Sequence, residues 1–121
     1  MRASAIVPLF VLTALTACAP ATVVDESRSG PRPENHEAIV RSYIHENFFD
    51  PYSVRDLAIS EPIHGAMYQR QGWLVCFRAN GKNRMGAYTG LKMTALLIYD
   101  GKIIDTDDDQ NACRFFKWPP L

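Results

Sequence analysis

The chain has 121 residues, 47% hydrophobic and 21% charged, with 13 Lys and Arg against 13 Asp and Glu. This suits one small domain and is too short for two. A formal net charge of zero gives no general attraction for nucleic acid, so none is expected as a partner.

The first eighteen residues form a distinct segment. Arg2 is a short positive start, Ile6 to Ala14 is an apolar stretch, and Leu15-Thr16-Ala17-Cys18 follows. The stretch is too short to span a bilayer, and small residues follow it as at a cleavage site. Leu15 to Cys18 resembles the lipobox of bacterial lipoproteins. The resemblance implies that residues 1–17 are a signal peptide and that Cys18 is lipidated, carrying acyl chains such as palmitate. Several acyl chains would hold the protein stably on a membrane. Ala19 rather than Asp after the cysteine implies the outer membrane, by likeness to Gram-negative sorting. The expected location is its periplasmic face. The competing explanation is an ordinary secretory signal with Cys18 incidental.

Residues 18–34 read as a flexible spacer. Pro20, Ser27, Ser29, Gly30, Pro31 and Pro33 leave little apolar surface to bury. The remaining 35–121 read as one domain. Asn35 to Phe49 has the helical period, with Ile39, Val40, Tyr43, Ile44 and Phe48 on one stripe. Glu34, Asn35 and Glu37 suit its start, and Asp50-Pro51 suits its stop. Val54 to Ser60 is a first strand, and Met67 to Gln69 is a short extended piece or a loop. Trp73 to Ala79 is a stronger strand, apolar on both faces at its start. Lys92 to Tyr99 and Lys102 to Asp105 form a hairpin about the primed turn Asp100-Gly101. The expected fold is therefore α+β, with one N-terminal helix on a three- or four-stranded antiparallel sheet.

With Cys18 assigned to lipid, Cys76 and Cys113 remain, and an oxidising compartment favours a disulfide between them. That bond would tie the aromatic tail, with Phe115, Phe116 and Trp118, to the central strand. A metal or catalytic thiol is the alternative, but there is no CxxC and no nearby histidine.

Candidate chemistry concentrates between Asn80 and Gly90. Lys82 and Arg84, with Arg78 just outside, stand among Asn83, Tyr88, Thr89 and three glycines. Such a segment can face an anion, a glycan or a partner protein. A solvated connection whose glycines serve turns explains the same residues. Gly81 and Gly86 have the spacing of a phosphate-binding loop, but Ala87-Tyr88 stands where Lys and Ser or Thr are needed. The acidic run Asp105, Asp107, Asp108 and Asp109 lacks the glycine and the bidentate glutamate of a calcium loop. His36, His45 and His64 have no ligand spacing, and no catalytic triad assembles. Accordingly, no metal and no other cofactor is expected.

The order of elements resembles a family of small Gram-negative envelope proteins, many of them lipoproteins. Asp50-Pro51-Tyr52-Ser53 and Tyr88-Thr89-Gly90 carry it most specifically, with Val75-Cys76-Phe77-Arg78-Ala79-Asn80 and the late Cys113. A common form of the next segment reads Asn-Ala-Lys-Asn, and this chain has Asn80-Gly81-Lys82-Asn83. The resemblance implies an envelope location and supplies no activity. The function expected is a non-enzymatic lipoprotein that binds an envelope protein or the cell wall. Alternatives are an inhibitor of an exported hydrolase such as lysozyme, and a small envelope hydrolase.

Overall fold

The computed structural model describes residues 25–121. The leader, Cys18 and the first part of the expected spacer lie outside them. One α-helix, α1 (His36–Asn47), precedes five strands: β1 (Arg55–Ile59), β2 (Ile63–Met67), β3 (Arg70–Lys82), β4 (Tyr88–Tyr99) and β5 (Lys102–Asp107). All pairs are antiparallel, in the order β1-β3-β4-β5, and β2 also pairs with β3. The α+β architecture with a single helix is as expected. The sheet has five strands rather than three or four.

The additional strand has a clear physical origin. β1 and β2 lie end to end along one edge of β3, with Arg55 to Ile59 opposite Asn80 to Phe77 and Ile63 to Met67 opposite Leu74 to Arg70. Pro62 between them has no N–H to donate, so the ladder cannot run through. Ser60 bridges the gap. Its backbone N–H donates to the Cys76 carbonyl at 2.8 Å, and its hydroxyl accepts from the Cys76 N–H at 2.8 Å. β2 then turns into β3 through Tyr68 and Gln69, both at positive φ (47° and 66°). A primed hairpin turn demands that conformation but usually recruits Asn-Gly, so Tyr-Gln gives no turn signal in the sequence.

β3 is buried on both faces, as its sequence suggests. Val75, Phe77 and Ala79 join Val40 and Ile44 of α1 and Leu96 and Ile98 of β4 in one cluster. Burying Val40 and Ile44 contributes about 1.5–3 kcal/mol each. Cys76 joins Met67, Ala95, Leu97 and Cys113 in a second cluster on the other face, with Phe116 and Trp118 of the tail against it. The Cys76–Cys113 disulfide holds that cover in place, with Cα atoms 5.9 Å apart. Arg78 fastens the tail again: its guanidinium donates to the Pro119 carbonyl at 2.6 Å and lies 5.5 Å from the Trp118 ring.

The termini of the elements differ in detail from the sequence expectation. Asn35 occupies the N-cap of α1 without a side-chain capping bond. The helix ends at Asn47, where Phe48 turns extended (ψ 144°), and Pro51 opens a 3-10 turn, Pro51–Ser53. Asp100 and Gly101 form the β4–β5 turn at φ 50° and 74°, and an extra residue at Ile104 bulges β5. From Ser29 the chain is already seated on the domain. Ser29 and Pro33 are buried, and the Trp73 indole N–H donates to the Gly30 carbonyl at 3.0 Å.

The disulfide closes a loop of 37 residues. Replacing both cysteines, Cys76→Ser and Cys113→Ser, is expected to lower stability by about 3–4 kcal/mol on the chain-entropy account. Denaturant unfolding of oxidised wild type and variant measures it, and equal midpoints would contradict the role given to this bond.

Candidate functional site

The segment from Asn80 to Gly90 is mostly strand, not loop. β3 runs on to Lys82 and β4 starts at Tyr88, leaving Asn83 to Ala87 as the hairpin turn. Asn83 builds that turn. Its backbone carbonyl accepts from Gly86 N–H at 3.0 Å, and its side-chain oxygen accepts from the N–H groups of Met85 and Ala87 at 3.0 and 3.1 Å. Gly86 (φ 76°) and Gly90 (φ 91°) take the left-handed conformations that a turn and a strand bulge require. Thr89 donates its hydroxyl to the Gly81 carbonyl at 3.3 Å, and Asn80 accepts from Gly90 N–H at 3.0 Å. Asn83 and Thr89 thus have structural duties that account for their presence.

The two most specific elements of the family resemblance meet here. Tyr88 of the Tyr-Thr-Gly element donates its hydroxyl to the carbonyl of Ser53, 35 residues away, at 2.8 Å. Ser53 in turn donates its hydroxyl to the Asp50 carboxylate at 2.6 Å. The Arg55 guanidinium stacks 3.5 Å from the centre of the Tyr88 ring, and the Lys82 ammonium lies 5.2 Å from it on the cross-strand position. A bulge beside Arg55, with Asp56 at φ 57°, breaks the β1 register at this point. Such bulges re-aim side chains next to sites.

What this junction presents outward is cationic and apolar. Met85 at the apex of the hairpin is 91% exposed and Phe49 61% exposed. Arg84 lies 5.9 Å from the Phe49 ring. Beside them a cleft of about 270 Å³ is lined by Phe48, Phe49, Lys82, Thr89 and Lys92, among others. Among the described residues no carboxylate lies within ion-pair distance of Lys82, Arg84 or Lys92. Of the six expected contact residues, Lys82, Asn83, Arg84, Tyr88 and Thr89 come together, with only Lys82 and Arg84 offering free charge. Arg78 stands apart, occupied with the tail. Phe49, Arg55, Met85 and Lys92 were missed from sequence. A signal existed: from Pro62 to Tyr99 there is no Asp or Glu, while Arg70, Arg78, Lys82, Arg84 and Lys92 fall in that stretch. The chain is neutral overall but segregates its charge.

A second cleft, of about 490 Å³, continues along α1 past Tyr43, Asn47, Lys92, Thr94 and Asp108. Thr94 donates to the Asp108 carboxylate at 2.8 Å. Burial, then the negative charge of Asp108, raise the Tyr43 hydroxyl above its ordinary value, while Thr106 opposes them. The other carboxylates of the acidic run act locally: Asp107 accepts from Asp109 N–H at 2.8 Å, and Asp109 from Asn111 N–H at 2.9 Å. Among the described residues no three His, Cys, Asp or Glu side chains group as metal ligands. His36 is buried, His45 lies 3.1 Å from the Tyr52 hydroxyl, and the His64 ring lies 3.9 Å from that of Trp73.

Comparison with protein-family models, with curated proteins and with solved structures finds no match to any of them. The resemblance to envelope lipoproteins therefore rests on the residues quoted for it.

Tyr88→Phe removes the bond to Ser53 and leaves the ring under Arg55. It is expected to destabilise by about 1 kcal/mol in denaturant unfolding; no change would mean that the hydroxyl bond carries no net weight. Tyr43 gives a pH signature. Its folded value lies above its unfolded one, so the unfolded chain loses this proton first. The stability it supports is complete below about pH 10 and falls as pH rises through the folded value. Tyr43→Phe should abolish that alkaline loss. A wild-type-minus-variant difference that stays flat across the range would contradict the assignment.

Proposed function

We propose that the protein is a lipid-anchored module of the cell envelope, at the periplasmic face of the outer membrane, that works by binding rather than by catalysis. The observation that carries this is the hairpin tip. A large apolar side chain stands exposed at its apex, Arg84 beside it and Lys82 and Lys92 along the adjoining cleft have no carboxylate partner among the described residues, and two distant segments are locked together beneath the turn. Exposed apolar groups rimmed by polar ones mark interaction surfaces.

The placement of the tip supports the same role. The described chain begins beside β2 and the start of β3, near Trp73 and His64. The tip lies at the other end of β3, about 30 Å away at the usual rise per residue. Six residues lie between Cys18 and Asp25, and the seven steps can span at most about 25 Å. An anchor at Cys18 would hold the domain by one pole and leave the opposite pole free to make a contact of its own.

A benzophenone side chain placed at position 85, in intact cells, is expected to form covalent adducts on irradiation. The same probe at Tyr68, 69% exposed at the opposite end of β3, serves as the control. Equal labelling at the two positions, or none at position 85, would remove the tip from the binding role. Mass analysis of the mature N-terminus tests the anchor separately.

A further inference from the structure

We infer that the surface engaged by the hairpin tip is a bilayer carrying anionic headgroups; this rests on the binding role proposed for the tip and names its occupant. The composition of the tip selects it. Met85, 91% exposed at the apex of the hairpin turn, and Phe49, 61% exposed, offer unbranched and aromatic apolar groups that can enter the interface between headgroups and acyl chains. Arg84 lies beside Phe49, and Lys82 and Lys92 line the adjoining cleft; their ammonium and guanidinium groups stand on stems long enough to reach phosphates while their methylenes follow the apolar groups inward. Arg55, stacked on Tyr88, adds a fourth cation. The stretch from Pro62 to Tyr99 has no carboxylate; Asp50 and Asp56 follow Phe49 and Arg55 just outside it, and the Asp50 carboxylate is engaged by the Ser53 hydroxyl.

The charge complementarity is local. Some carboxylates elsewhere are paired with arginine: Glu61 lies 2.9 Å from Arg32, and Asp105 lies 3.6 Å from Arg70. At the tip the cations have no such partners among the described residues, so their fields extend into solvent. Each Lys or Arg held near an anionic leaflet strengthens attachment by roughly fivefold, equivalent to about 1 kcal/mol. An acyl anchor in the same leaflet would raise the effective concentration of the tip, so that weak contacts suffice.

The test uses the mature chain, residues 18–121 with Cys18→Ser, so that no acyl chain contributes. It is sedimented with vesicles of pure phosphatidylcholine and with vesicles of equal parts phosphatidylcholine and phosphatidylglycerol. Sedimentation with the mixed vesicles only, lost at high salt, is expected. Lys82→Ser, Arg84→Ser and Lys92→Ser together should weaken it by about a hundredfold. Met85→Ser alone should weaken it by about tenfold. Arg84, Met85 and Lys92 are exposed and Lys82 is half-buried, and unchanged thermal unfolding of the variants verifies that they fold. Equal binding to both vesicles, binding to neither, or undiminished binding by the triple variant overturns the inference. If vesicles fail while position 85 crosslinks to a protein in cells, the binding role stands and the lipid assignment falls. If both fail, the binding role falls with it.

Discussion

A strand that is apolar on both faces needs two covers, and that requirement organises this domain. β3 is thirteen residues long and central to the sheet, with Val75 and Phe77 on one face and Cys76 on the other. The single helix can cover only one side. The other side falls to a tail with one short 3-10 turn and little regular structure, which could not hold its place by backbone pairing. A covalent bond from the middle of β3 does so instead. Because Cys76 also exchanges two hydrogen bonds with Ser60, the same residue fixes the tail and the break between β1 and β2. Small domains commonly rely on such a crosslink where the core is modest.

The far end of β3 owes its shape to a different principle. There the sheet runs beyond both covers, and side chains are held by short polar contacts rather than by burial. Tyr88 bonds to Ser53, Asn83 closes the turn, and Arg55 stacks on the tyrosine ring. The polar residues of the tip are therefore largely scaffold. The groups left outside that hydrogen-bonded scaffold are Lys82, Arg84, Lys92, Met85 and Phe49. A chain of zero formal net charge thus has a continuous stretch, Pro62 to Tyr99, whose only charged residues besides His64 are Lys and Arg.

Polar residues in a connecting segment are poor guides to a binding surface when taken one by one. Asn83 and Thr89 look like ligand contacts in sequence and turn out to make the hairpin. Arg78 looks like part of the same basic group, yet its guanidinium holds the tail. Phe49 and Met85 attract no attention in sequence, because an isolated exposed apolar residue is commonplace. Only their proximity to unpaired cations gives them meaning.

The sequence by itself determined the helix, the β4–β5 hairpin, the double burial of the central strand and, once Cys18 is set aside, the expected pairing of Cys76 with Cys113. Each depends on short-range periodicity, on turn chemistry or on a choice of two cysteines, all of which are local or arithmetical. Tertiary structure alone decided that β2 exists and that its turn is made by Tyr68-Gln69. The sheet imposes positive φ there against local preference. It also decided that the segments around Pro51 and Tyr88 meet. That contact spans 35 residues and depends on the length and register of β3. Register is a property of paired strands, and no single strand carries it.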